Sequence, residues 1–223
     1  MEIKVLKNIM ERNASQAADN RVLFDNHGIL AVNIMSSPGA GKTTILEKTI
    51  DELKDRFAIA VIEGDLMTSK DAERIHAHGV PVVQINTEGG CHLTADMVAA
   101  AIRELPIESL DIIFIENVGN LVCPSSFDLG EHFRIVVSSV PEGDDKPLKY
   151  PTMFQEAKAC LLNKTDLLAY TNFNIDNFFK DVTLLNPKAV TFQISAFMGE
   201  GIEQWNKWLE SQYEENKQRV QER

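Results

Sequence analysis

The run Ser36-Ser37-Pro38-Gly39-Ala40-Gly41-Lys42-Thr43 stands between an apolar stretch at 30–35 and a helical pattern at 43–56. Strand, tight glycine turn, Lys-Thr and helix in that order is the G-x-x-x-x-G-K-[ST] phosphate loop, with Ser36 in place of the first glycine. Gly39 and Gly41 let the backbone curl so that successive N–H groups, those of Ala40 and Thr44 included, face a phosphate. Lys42 neutralises the β/γ oxygens, Thr43 offers a hydroxyl to Mg²⁺, and the helix N-terminus adds its positive dipole end. The Ser36 position is expected only to shape the approach to the turn.

Strand-like and helical runs then alternate. Strands are expected at 57–62, 82–85, 112–115, 133–137, 159–162 and 190–194, and helices at 70–77, 95–105, 175–185 and 201–216. This order implies an α/β fold, a P-loop NTPase with a mostly parallel sheet and helices on both faces. Ligands in such a fold collect at the carboxyl ends of the strands. Ahead of it, Ile3, Leu6, Ile9, Met10, Ala14, Ala17 and Ala18 recur at helical spacing, ending near Gly28. The expected organisation is a leading helix within 1–28, packed on or running into one domain over 29–223. The charged run that closes the chain reads as a solvated, fraying helix end.

With 22 Lys and Arg against 33 Asp and Glu, the formal charge is −11, which argues against nucleic acid or an anionic membrane as partner. No apolar stretch approaches the roughly 18–20 residues of a bilayer span, and the first residues lack a signal-peptide core. Cytoplasmic residence is the expectation. Three cysteines do not suggest a disulfide framework.

Asn163-Lys164-Thr165-Asp166 follows the expected strand at 159–162. A carboxylate there accepts two hydrogen bonds from guanine, N1–H and the exocyclic amine, whereas adenine leaves it unpaired. The Lys164 stem can lie along the base and Asn163 can brace the loop. Ser195-Ala196 sits where a second base-contacting loop belongs. GTP is therefore the expected nucleotide, which speaks against an ATP-dependent kinase or ligase on the same fold.

Glu63-Gly64-Asp65 ends the second strand, Asp71 opens the next helix, and Glu116-Asn117-Val118-Gly119 ends the strand at 112–115. Lys42, Asp65, Asp71 and Glu116 form the expected catalytic set, with Thr43 and Asp65 on magnesium. Asp71 equally reads as a helix-start acid favoured by the dipole. Gly119 is placed to bring a backbone N–H to the γ-phosphate. Glu116 stands where GTPases usually carry Asp, which favours a water-mediated contact to magnesium. No arginine finger is legible, so slow intrinsic hydrolysis is expected.

Cys91-His92 and Cys123 leave the carboxyl rim on two loops, and two thiolates with one imidazole suit zinc or nickel. By spacing alone, a Cys-His pair with a distant Cys is more often incidental than a metal site. Gly89-Gly90 supplies the turn that adjacent ligands need.

Glu-Gly-Asp, Gly-Cys-His-Leu, Glu-Asn-Val-Gly-Asn-Leu-Val-Cys-Pro and Asp-Asp-Lys-Pro-Leu-Lys-Tyr-Pro together resemble the hydrogenase nickel-incorporation GTPases, the HypB family. The resemblance implies a SIMIBI-type GTPase that helps deliver nickel to [NiFe]-hydrogenase. It also implies a HypA-like nickel and zinc accessory partner, a hydrogenase large-subunit precursor as client, and nucleotide-dependent homodimerisation. It maps a nickel or zinc site onto Cys91, His92 and Cys123. The N-terminal Cys-rich and His-rich nickel stretches of some members have no counterpart here. Related GTPase chaperones serve urease and cobalamin enzymes, and a passive metal-binding protein with an idle phosphate loop is a further alternative.

Overall fold

The structure is a computed structural model that describes residues 5–222, with the backbone alone for 5–9. In chain order the elements are α1 (Val5–Asn26), β1 (Leu30–Ser36), α2 (Lys42–Leu53), β2 (Ile59–Asp65), α3 (Lys70–His76), β3 (Val82–Asn86) and α4 (Ala95–Ile102). There follow β4 (Ile112–Glu116), β5 (Phe133–Ser139), α5 (Lys146–Lys149), α6 (Pro151–Gln155), β6 (Ala157–Asn163), α7 (Ile175–Leu185), β7 (Val190–Gln193) and α8 (Ile202–Gln221). Every expected strand and helix is present. The short α5 and α6 are additions, because Pro147 and Pro151 each start a single turn too brief for a periodic signal.

The strands form one sheet in the order β3-β2-β4-β1-β5-β6-β7, and all six pairings are parallel. Parallel strands need covered faces, and β1 shows both. Leu30, Val32 and Ile34 face a core shared with α2 and α8, while Ala31 faces one shared with α1 and α4. A third cluster, around Met153, Phe154 and Phe178, fills the side of α6 and α7. Trp205 is buried under α2 and donates its indole N–H to Thr49 Oγ1 at 3.0 Å, which fixes α8 across the sheet. Among the described residues no helix is long and apolar enough to cross a membrane.

Two expectations are corrected. The buried face of α1 is Asn13, Ala17, Asn20 and Phe24, whereas Met10, Ala14 and Ala18 are exposed; Ile3 lies outside the described residues, as do the Leu6 and Ile9 side chains. Hydrogen bonds, more than apolar burial, set that face. Asn13 takes the N–H of Ala95 at 2.9 Å and gives to the Asp128 carbonyl at 2.8 Å; Asn20 gives to the carbonyls of Ala95 and Leu129, both at 2.9 Å. The chain end is not simply solvated either. Asn216 is buried and donates to the Ile29 carbonyl, and Arg219 pairs with Asp25 at the end of α1. The charge of the segment hid a docked face.

Candidate nucleotide and metal sites

The loops after β1, β2, β4 and β6 meet at the carboxyl rim around a cavity of about 460 Å³ lined by Gly39, Gly41, Lys42, Thr43, Thr44, Glu63, Asp65, Asp71, Glu116, Gly119 and Lys164. Gly41 has φ 102°, and a side chain there would run into the Asn163 amide, so only glycine lets the loop pass under β6. Gly119 is held as closely: a Cβ would lie 2.9 Å from Pro38 Cα, so the loop after β4 rides directly on the phosphate loop.

Lys42 is buried, with Nζ 3.0 Å from Ser36 Oγ and 3.7 Å from Glu116 Oε1. Ser36 therefore has a second task that the sequence did not disclose: its hydroxyl holds the lysine. Thr43 Oγ1 donates to Glu116 Oε1 at 3.0 Å. Thr44 accepts from Arg74, which also pairs with Asp71 at 3.0 Å and Glu47 at 2.6 Å. Asp71 is thus held on the cavity wall by α3. Asp65 lines the same cavity, yet its carboxylate is turned onto the N–H of Leu66 and the hydroxyl of Thr68.

Glu63 is the carboxylate to which sequence reading assigned no role. It is the register partner of Glu116 across β2 and β4, and both are buried. Among the described residues, one oxygen of each has no donor. Burial, then the facing Glu116, holds the Glu63 carboxyl far above the usual carboxylate range; burial raises Glu116 against the pull of Lys42. Paired acids at two neighbouring strand ends were the available signal. The two orphaned oxygens beside the Thr43 hydroxyl are a donor set of the hard, oxygen type that Mg²⁺ takes.

A raised carboxyl pKa means the native chain keeps a proton that the unfolded chain releases above the ordinary carboxylate range. Its contribution to stability therefore declines as pH rises through that window. Glu63→Gln is expected to raise the melting temperature of the metal-free protein, by a margin that widens between about pH 6 and about pH 9. A margin independent of pH would assign the effect to something other than the buried proton.

At the carboxyl end of β6, Asp166 Oδ1 accepts from Ser195 Oγ at 2.6 Å, and Asn163 Oδ1 accepts from the Ala196 N–H at 3.1 Å. Asn163 Nδ2 donates to the Ala40 carbonyl at 2.9 Å, and Lys164 Nζ to that of Gly39 at 2.7 Å. Both side chains tie the two nucleotide loops together. Ser37 is bound in turn by Glu142, a brace that lay outside the sequence reading.

Cys91, His92 and Cys123 converge, with one ligand atom from each all within 4.8 Å of one another. The Cys91 Sγ to His92 Nδ1 distance is 3.5 Å. A tetrahedral ion with metal–sulfur bonds of about 2.3 Å spaces its ligands at roughly 3.3–3.8 Å, so little movement separates this arrangement from a bound one. The His92 ring stacks on Phe127 with centroids 3.8 Å apart and planes at 20°. Burial lowers the His92 pKa, which keeps the neutral imidazole that a metal needs. The neighbouring Cys91, then burial, raises that of Cys123. Asn120 clips the Cys123 turn by accepting the N–H groups of Val122 at 2.7 Å and Cys123 at 3.2 Å.

A family model described as CobW/HypB/UreG, nucleotide-binding domain, matches residues 30–193. The hydrogenase maturation factor HypB of Rhizobium leguminosarum bv. viciae is 51% identical over 208 residues, covering 93% of this chain and 70% of that one. The chain belongs to the HypB family. The crystal structure of HypB from Helicobacter pylori in complex with nickel matches with a TM-score of 0.88 at 42% identity, covering 92% of this chain and 96% of that one. The signal recognition particle receptor FtsY of Elizabethkingia anophelis, at 15% identity and a TM-score of 0.54, covers 86% of this chain and 67% of that one. It shares the fold alone.

Proposed function

We propose that the chain is a Mg²⁺-dependent GTPase that binds nickel, with zinc as competitor, and couples GTP hydrolysis to nickel delivery during [NiFe]-hydrogenase maturation in the cytoplasm. The observation that carries this reading is a single short segment. Gly119 rests on Pro38 of the phosphate loop, and Cys123, four residues on, meets Cys91 and His92.

In this reading the Lys42 ammonium leaves Ser36 and Glu116 for the β/γ oxygens of GTP. Asp166 selects guanine, with Ser195 holding its carboxylate and Asn163 fixing Ala196. Thr43, Glu116 and Glu63 would hold the magnesium ion, with Asp65 as a further ligand if the 65–68 turn opened. The ion supplies charge neutralisation to the phosphates. Asp71, anchored by Arg74, orients the attacking water. The Gly119 N–H meets the γ-phosphate and loses that bond after hydrolysis, shifting the Cys123 turn. Nickel is the cargo of the thiolate–imidazole site, which leaves a coordination position for water, a second copy of the chain, or a HypA-like accessory protein that passes the ion to the hydrogenase large-subunit precursor.

The test is a nickel and zinc titration of the GDP form and of the form with a non-hydrolysable GTP analogue, with subunit mass recorded in each. Nickel affinity is expected to differ by at least about fivefold between the two, and the analogue form to be the dimer. Equal affinities remove the coupling, and a monomer in both states removes the nucleotide-dependent dimer.

A further inference from the structure

Cys123 belongs to the loop that meets the nucleotide, but Cys91 and His92 arrive on a different loop, after β3. If only Cys123 moved, the triad would be torn rather than switched. Something must tell the second loop what the first has done.

We propose that Asn117 is the positioning residue that transmits nucleotide state to the Cys91–His92 turn; this rests on the coupled GTPase reading above. Asn117 is the first residue past β4, between Glu116 and the Gly119 loop, and is 1% exposed. Its Oδ1 accepts the N–H of Leu93 at 3.2 Å and of Val118 at 3.0 Å. One amide oxygen thus binds the residue after His92 and the residue before Gly119. Its Nδ2 donates to Asn33 Oδ1 at 3.3 Å, on the strand that leads into the phosphate loop.

The chain of bonds continues beneath the metal-ligand triad. Asn33 Nδ2 donates to Glu131 Oε1 at 3.2 Å, and Glu131 accepts from the Leu129 N–H at 2.7 Å and from Arg134 Nε at 2.5 Å. Arg134 then donates to the carbonyls of Ser125 at 2.9 Å and Phe127 at 3.2 Å, and Phe127 is the ring stacked on His92. Asn33, Asn117 and Glu131 are all buried. Both halves of the ligand set hang from one polar chain whose three central members are buried, where a lost partner is costly.

Leu93 is the natural receiver. It is wholly buried, and Gly64 presses on it so closely that a Cβ there would lie 2.9 Å from Leu93 Cδ1. The residue is wedged between the ends of β2 and β4, which carry Glu63 and Glu116. A shift of the Val118–Gly119 peptide that turns the Asn117 amide either drags the Leu93 N–H along or leaves it unpaired. Buried polar chains of this kind switch between discrete arrangements.

The experiment compares nickel affinity with GDP and with a non-hydrolysable GTP analogue for the wild type and Asn117→Ala. The wild-type ratio is expected to be at least about fivefold and the variant ratio within about twofold. Nickel should still bind the GDP form of the variant within about tenfold of wild type, since all three ligands remain. A merely structural role would weaken both states alike and preserve the ratio. The second measurement is hydrogen exchange of the Leu93 amide in the wild-type protein, expected to differ in protection between the two nucleotide states; it decides the matter if Asn117→Ala does not fold. A wild type with equal affinities overturns this assignment together with the coupled reading. A wild type that couples while Asn117→Ala keeps the full ratio, or a Leu93 amide equally protected in both states, overturns the assignment alone.

Discussion

Replacing Lys42 with alanine is expected to lower GTP turnover by roughly 10²–10³-fold, the usual effect of removing one preorganised charge-stabilising donor from a phosphoryl-transfer site. Lys42 Nζ is 3.7 Å from a buried Glu116 that itself holds Thr43. Without the ammonium, Glu116 loses a cation that opposes its desolvation, and burial drives its carboxyl further up. Magnesium affinity should therefore fall with turnover, and adding magnesium should recover only part of the rate. Phosphate release measured across a magnesium series reads both effects. A variant retaining wild-type turnover would leave the phosphate loop without its proposed role and favour a passive metal-binding protein.

The other large effect is expected at Cys123. Cys123→Ala removes one of three converging ligand atoms, and nickel affinity should fall by more than the roughly 10–100-fold typical of losing an outer-shell partner. Turnover of GTP in the absence of nickel should stay within about twofold, because Cys123 lies beyond the Gly119 loop and lines no part of the nucleotide cavity. Competition with a chromophoric chelator measures the first quantity and phosphate release the second. Undiminished nickel binding would place the ion elsewhere in the chain.

The two effects are separable because the two sites use different chemistry. Thr43, Glu63 and Glu116 present oxygen, which suits a hard cation, and the triad presents sulfur and nitrogen, which suit a softer one. Little exchange of ions between them is expected, even though one loop serves both.

Much of this was legible in the sequence because the features are local. The phosphate loop, the Asn163–Asp166 turn and the alternation of strands and helices depend on neighbouring residues and their periodicity. Ser195-Ala196 meets the Asn163–Asp166 turn because a strand end fixes which rim its loop reaches. What escaped the sequence depends on pairings between distant segments. Glu63 gains its character from standing across two neighbouring strands from Glu116, which lies 53 residues further along the chain. Ser36 reads as a blemish in a motif until its hydroxyl meets Lys42. The face of α1 was misjudged because asparagine carries no apolar signal, although Asn13 and Asn20 are both buried.

The phosphate loop and the Asn163–Asp166 turn were thus determined as local structures by the sequence alone, since backbone conformation, hydrogen-bond donors and charge there are properties of a few consecutive residues. Whether Cys91, His92 and Cys123 form a cluster or an accident of composition was open at that level. Only the register of β2 with β3 and β4 decides it, by bringing two loops of different strands to one rim. The physical reason is the sheet itself: parallel pairing aligns strand ends that the chain separates, and the buried Asn117 amide bonds one of the two ligand loops to the other.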